Sequence, residues 1–496
     1  MTELSEVTAG RREWIGLAVL VLPAVLASLE LTVTNLALPA IAADLSASST
    51  QLLWIVDVYA FLLAGSLITM GAWGDRIGRR RLLLIGSAAY GVASILAAYA
   101  PTATTLIIAR ALMGVAGSTL MPATLSLTTS MFTHPRQRAV AIGIIVAGVS
   151  GGTAIGPLVG GWLLERFWWG SAFLVAVPVM ALLLVVVPLL LPEHRDAGAG
   201  RLDVVSAGLS LGAVLPMIYG LKEIAAHGLG AAPVAAVLAG VLVAVVFLQR
   251  QRRLAVPLVD LRLFANRAFS VAAATLALGI FVLWGSNYAL AQYLQLVHGL
   301  SPLEAGLWTA PSAIGVIVGS TLAPRIVHKV GAAGVIGAGL VLSAAGYLVL
   351  TRTDGSDGLA VLVSGAVVVS AGLGPMMALA TDLVVGSAPP ERSGAAAAIS
   401  STAPQLGGAL GIAVLGSVIT AVYRHEMSSQ AVPEAARDSL SAAVTVSESL
   451  PGSYGLLQSA RAAFVQGFHL TAVVSAVLMA GIAFLVMALL RDTKRH

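Results

Sequence analysis

The chain has 496 residues, 58% hydrophobic and 10% charged, with a net charge of +5, a mean hydropathy of +0.93 and no cysteine. Soluble domains carry about 25% charged residues and at most about half apolar ones. This composition therefore excludes a soluble enzyme, a nucleic-acid binder and a disordered chain, and the missing cysteines exclude a disulfide framework, thiolate catalysis and Cys-ligated metal.

A spanning helix needs about 20 mostly apolar residues. By that length, spans are expected at 14–41, 51–71, 82–100, 104–125, 138–163, 169–191, 203–222 and 231–248. After a basic linker at 249–267 they resume at 267–297, 303–326, 331–351, 358–386, 394–423 and 462–490. The expectation is an all-α integral membrane protein with 14 transmembrane helices. The first block holds Pro23 and Glu30 and no small-residue cleavage site, so it reads as a retained helix and not as a signal peptide. The longest outer stretch, 424–460, reads as a lid or solvated loop.

Lys and Arg set orientation. With a cytoplasmic N-terminus, inner segments hold 21 of the 28, outer loops hold six (Arg166, Lys222, Arg352, Arg424, Arg437 and Arg461) and one, Arg110, lies in a span. Both termini are expected in the cytoplasm, and the basic pI of 9.7 then needs no nucleic acid. Six spans precede residue 200, two follow and six more begin near 267, which suggests a duplicated transporter with an inserted pair. The expected divisions are 1–200, 201–258 and 259–496. GDRIGRRRLLLIG after the second span echoes PRIVHKVGAAGVIG after the tenth, so the copies are related and chemically unequal.

Ionisable side chains inside spans are expensive and mark pathways. Four stand out: Glu30 in the first helix, Asp57 in the second, Arg110 in the fourth and Asp382 in the twelfth. Asp57 and Arg110 each sit about six residues from the outer end of their helix, at similar depth on a rise of about 1.5 Å per residue. Burial and a neighbouring Arg act oppositely on a carboxylate. A site that alternates between those surroundings takes a proton on one side and loses it on the other; a static ion pair that fixes packing is the competing reading.

Several motifs now carry a resemblance. GAWGDRIGRRR at 71–81 resembles the inner-loop signature of the major facilitator superfamily, and ARALMGVAG at 109–117 is similar to its fourth-helix motif. GVSGGTAIGPLVGG at 148–161 resembles the fifth-helix antiporter motif of proton-driven exporters. LELTVTNLALP at 29–39 and WIVDVY at 54–59 resemble the fourteen-helix drug:proton antiporters, with Glu30 where Asp is usual. SPLEAGL at 301–307 and QLGGALGIAVLG at 405–416 match more loosely. The resemblance implies the major facilitator fold, proton coupling through Glu30, Asp57, Arg110 and Asp382, and an inner gate at Asp75, Arg76, Gly78 and Arg79. It also implies an exporter's helix bend at Gly152, Gly156, Pro157, Gly160 and Gly161.

The substrate is read from the ninth helix, where Trp284, Tyr288, Gln292 and Gln295 share one face with Asn287 beside it. Aromatic and amide groups together suit a large, partly apolar solute, and Asp382 is the second half's only acid inside a span. Packing within the core is the competing reading for that face. Trp54 and Tyr59 lie nearer the outer interface, where an aromatic-belt role is expected. The thirteenth helix reads AAAAISSTAPQLGG at 395–408, with Ser401 and Gln405 and no carboxylate, which argues against a strict dication preference. His469 is expected to be packed or hydrogen-bonded. No GxxxxGK[ST] or HExxH occurs, so neither ATP nor an enzyme is expected.

The expected function is proton-coupled efflux of amphipathic drugs or antibiotics across the inner membrane, by a monomer without cofactor or metal. A narrow exporter of one metabolite, peptide or lipid-like compound is the alternative.

Overall fold

A computed structural model describes residues 9–132, 134–191, 193, 203–254, 257, 259–353, 359–389, 393–430, 432–449 and 454–490. These residues are almost wholly helical, with no strand among them. The first group comprises α1 (Arg11–Leu45), α2 (Ser49–Ile77), α3 (Arg79–Ala98), α4 (Ala103–Met131), α5 (Pro135–Arg166), the one-turn α6 (Ser171–Leu174) and α7 (Ala176–Leu190). A hairpin of α8 (Val204–His227) and α9 (Ala231–Arg253) follows. The last group begins with α10 (Arg267–Gln292), whose end widens into a π-turn at Tyr293–Val297. It continues through α11 (Pro302–Val330), α12 (Ala332–Leu350), α13 (Leu359–Gly386) and α14 (Ser393–Ser428), then the short α15 (Glu434–Asp438) and α16 (Leu440–Ser449), and ends with α17 (Tyr454–Leu489).

Thirteen helical stretches among the described residues are long and apolar enough to cross a membrane. The 32-residue α5, several of whose side chains lie outside the described residues, takes the place of the remaining expected span. The helices outrun the spans read from hydropathy. α1 has 35 residues, about 50 Å of helix against a hydrocarbon core of about 30 Å. α14 runs to Ser428, and α15, α16 and the start of α17 fill most of the stretch that reads as a lid or solvated loop.

Helix starts are set by polar caps. Ser48 accepts from the Gln51 N–H, Thr102 from Thr105 and Ser301 from Glu304, each satisfying an otherwise orphaned amide. The α2–α3 and α11–α12 turns pivot on Gly78 and Gly331, with φ of 110° and 82°. Side chains rarely adopt such angles, so the two echoing sequence segments share a backbone requirement. A second parallel lies in the crossings. Along α5, Gly152 and Gly160 let α1 approach: an added Cβ would sit 2.4 Å from the Val25 carbonyl oxygen and 2.7 Å from Val33 Cγ2. Along α14, Gly407 and Gly411 do the same for α10, where a Cβ would meet the Ala277 and Phe281 carbonyls at 2.1 and 1.9 Å. Small residues at crossings are how membrane helices gain packing without a hydrophobic drive.

α1–α7 and α10–α17 each enclose an apolar core. α8 lies across both, with Leu211 against Gly65 of α2 and Ile218 packed among Ala60, Phe61, Ala409 and Ala413. α9 packs on α8 and otherwise faces outward. At the base of this hairpin Asp203 accepts from Ser206 and Arg250. Burial alone would lift Asp203, but the Ser206 bonds and the Arg250 cation outweigh it and hold its carboxyl below the usual range.

We name as outer the ends that the Lys and Arg distribution assigns outside. There the two groups meet closely. The Gln295 amide donates to the Leu36 carbonyl at 3.0 Å, and the Ser49 N–H donates to Asp438 Oδ2 at 2.9 Å. A Cβ on Gly306 of α11 would sit 2.1 Å from the Pro157 carbonyl of α5. The polar contacts described at the inner ends each stay within one group: Arg12 with Leu189 and Leu190, Arg80 with Leu191 and Glu193, Asn266 with Ser387.

Candidate transport site

α1, α2 and α4 bring Glu30, Asp57 and Arg110 into one neighbourhood. Arg110 forms an ion pair with Glu30, and the two residues are 0% and 2% exposed. The Arg110 Nε donates to the Ile55 carbonyl at 2.9 Å. Its guanidinium carbon lies 4.2 Å from the centroid of the Tyr59 ring and 5.6 Å from that of Phe173, so aromatic faces replace part of its lost hydration. Among the described residues, Glu30 Oε2 and Arg110 Nη2 have no hydrogen-bond partner. The site thus holds a charge pair with unused donor and acceptor capacity.

Tyr59 corrects an expectation. It is 2% exposed and forms the floor under Arg110, so it is not an interfacial belt residue. Trp54 packs beside Phe61 and Trp284. Asp57 is wholly buried on α2, close enough for its charge to reach the Tyr288 hydroxyl of α10. It therefore sits where the two groups of helices meet.

The face of α10 read from the sequence is real, and it is closed. Trp284 lies flat against Gly408, where a Cβ would be 2.2 Å from Cε3. Tyr288 and Gln292 line only a small cleft with Ser49, Thr420, Tyr423 and Asp438. Gln295 is spent on Leu36. Asn287 departs from this face and is exposed. Asp382, four residues from the inner end of α13, is exposed. Ser401 and Gln405 both lie on α14.

At the inner turn, the side chain of Asp75 lies outside the described residues. The carboxylate found on the Arg run is Glu193, which the sequence reading did not single out. Its Oε1 accepts the Arg80 N–H at 3.1 Å, and its Oε2 lies 3.7 Å from Arg80 Nε and 3.8 Å from Arg81 Nε. A Cβ on Gly78 would meet that carboxylate at 2.3 Å. Arg76 is exposed and Arg79 half-buried. In the fifth helix Gly152, Gly156 and Gly160 face α1, while Gly161 faces Leu303 of α11 and the Pro157 carbonyl faces Gly306. At the outer end Asp438, placed by α15, bridges Arg424 of α14 and the first amide of α2. His469 pairs with the Thr353 carbonyl. Among the described residues no group of His, Asp and Glu could hold a metal ion.

The comparisons agree with this geometry. The sequence pattern of the Major Facilitator Superfamily matches residues 20–412. The multidrug efflux pump LfrA of Mycolicibacterium smegmatis is 43% identical over 482 residues, 96% of each chain. The methyl viologen resistance protein SmvA of Salmonella typhimurium is 34% identical, covering 92% of this chain and 93% of its own. The puromycin resistance protein pur8 of Streptomyces alboniger is 35% identical over 82% of each. Among solved structures, a bacterial homologue of the human lysosomal transporter Spinster, inward-facing and unoccupied, superposes with a TM-score of 0.70 at 19% identity, over 98% of this chain and 99% of its own. With its apolar spans, paired cores and buried ion pair, this chain is a multi-pass cell-membrane transporter of the Major Facilitator Superfamily.

Proposed function

We propose that the protein exports amphipathic drugs or antibiotics in exchange for protons, by alternating access. On this reading fourteen spans are arranged as two six-helix halves, 1–200 and 259–496, flanking the 201–258 hairpin, with both termini cytoplasmic. The conformation described above, tight at the outer ends, is its inward-facing state. The observation that carries the reading is the buried Glu30–Arg110 pair. A carboxylate at that depth is tolerable while Arg110 faces it. When a conformational change parts them, protonation is the least costly way to neutralise the acid. Asp57, wholly buried at the meeting of the halves, relays that change to α10. Asp382, exposed toward the inner end, supplies a negative group where substrate would enter from the cytoplasm.

The driving force is adequate. One inward proton at 100 mV and one pH unit provides roughly 2.3 plus 1.4 kcal/mol, enough for between about two and three decades of concentration. The relatives' names supply the probes. Methyl viologen and puromycin transport is measured in everted vesicles or proteoliposomes under an imposed pH gradient, for wild type, Glu30→Gln and Asp57→Asn. Gradient-driven transport in wild type that both neutralisations abolish is the expected result. Transport that ignores the gradient, or survives both changes, overturns the coupling assignment.

A further inference from the structure

The C-terminal half contains a chamber that the closed face of α10 does not explain. It lies among α10, α11, α12, α13 and α17. Ser286 and Asn287 enter it from α10, Ser312 from α11, Tyr347 from α12 and Ser370 from α13, between apolar walls that include Phe468. Tyr347 is 1% exposed and Ser370 5%. Asn287, one residue from Ser286 and exposed, stands at its rim.

Several hydroxyls of this chamber lack the usual backbone partner. Ser and Thr on membrane helices usually return their proton to a carbonyl one turn back, as Ser118 does to Val115, Thr119 to Ala116 and Thr275 to Val271. Ser286 Oγ, Ser312 Oγ and Tyr347 Oη have no such carbonyl partner: they are buried, and Tyr347 faces Ser286 across the chamber. A buried hydroxyl with unused hydrogen-bonding capacity is costly, and three such groups line one space. No acidic or basic side chain lines it. Its chemistry, apolar walls with several neutral donors and acceptors among them, suits the hydroxyl, amide or carbonyl groups of a solute.

We propose that this chamber is a recognition subsite for the neutral hydrogen-bonding groups of the exported compound, with Tyr347 and Ser312 setting specificity. The inference rests on the export reading above and adds the substrate chemistry it selects. Cationic charge is not read there; a buried acid would be needed, and Asp382, exposed, lies elsewhere on α13.

Two probes separate the consequences. Puromycin carries hydroxyl, amide and ether groups, whereas methyl viologen is a flat dication with no conventional hydrogen-bonding atom. Transport into proteoliposomes is compared for wild type, Tyr347→Phe and Ser312→Ala. Each variant is expected to raise the KM for puromycin about three- to tenfold, the effect of one lost neutral hydrogen bond, with kcat little changed and methyl viologen transport at the wild-type level. Retained methyl viologen transport also shows that the variants fold. Equal losses for both compounds, no change for either, or a wild type that moves methyl viologen but not puromycin overturns the proposal. If wild type moves neither compound, the export reading fails. Equilibrium dialysis of puromycin against the purified chain then decides the chamber by itself: binding weakened by Tyr347→Phe supports it, and binding absent or unweakened overturns it.

Discussion

The two halves of the molecule differ in what they hide from lipid. The N-terminal half buries charge: Glu30 against Arg110, and Asp57 at its edge. The C-terminal half gathers Tyr347, Ser312 and Ser286 around a chamber free of acidic and basic groups. Their scaffolds are alike. α5 crosses α1 on Gly152 and Gly160 as α14 crosses α10 on Gly407 and Gly411, and Gly78 and Gly331 turn corresponding corners. The chemical difference therefore comes from a few side chains placed on a repeated frame. On our reading it divides the labour, with the driving ion handled on one side and the solute recognised on the other.

The largest expected effect breaks this asymmetry at its charged end. Arg110→Leu leaves Glu30 buried without its cation, a loss on the order of 3–5 kcal/mol, and should sharply lower the midpoint of thermal aggregation in detergent. Tyr347→Phe, in the other half, should move that midpoint little. Equal midpoints for Arg110→Leu and wild type would remove the energetic basis of the comparison.

The repeated frame comes next. Gly411→Ala places a methyl 1.9 Å from the Phe281 carbonyl, and Gly152→Ala places one 2.4 Å from that of Val25. Both should lower stability by about 1–3 kcal/mol, Gly411→Ala the more, read as folded yield by size-exclusion chromatography. A smaller effect concerns the seam between the halves. Asp438→Asn weakens a partly exposed ion pair, worth at most about 1 kcal/mol, while loosening the bridge from α15 to α2. Because the chain has no native cysteine, a single Leu53→Cys reporter can be labelled from outside without background. Its labelling should speed up when Asp438→Asn is added.

The smallest effect is a pH dependence beyond the end of α10. Burial and the Arg461 cation hold the His298 imidazole below its ordinary range. The unfolded chain then binds a proton that the folded chain resists, so stability falls as pH drops below about 6.5, the ordinary His value. His298→Gln should flatten the midpoint-against-pH curve in that window and leave it unchanged at pH 8.

Hydropathy made the spans legible, and the cost of charge in lipid singled out Glu30, Asp57 and Arg110. Their pairing was not legible. Depth arithmetic placed Asp57 level with Arg110, but it is Glu30, 80 positions away in sequence, that pairs with the guanidinium. Periodicity found one face on α10, yet whether that face is open depends on α1, α2 and α14 closing over it. Tyr347 had no signal at all, since one tyrosine in an apolar helix reads as packing until four other helices surround it. Glu193 and Asp438 carried no signal in the sequence because their partners lie on other helices.

The central claim, that a proton is exchanged at the charged half when substrate is handled by the neutral one, has a direct measurement. Methyl viologen or puromycin is added to the purified protein in weakly buffered detergent, and proton release is followed with a pH indicator dye. We expect wild type to release protons with either compound, Glu30→Gln with neither, and Tyr347→Phe normally with methyl viologen but only at higher concentrations of puromycin. Undiminished release from Glu30→Gln would contradict the account.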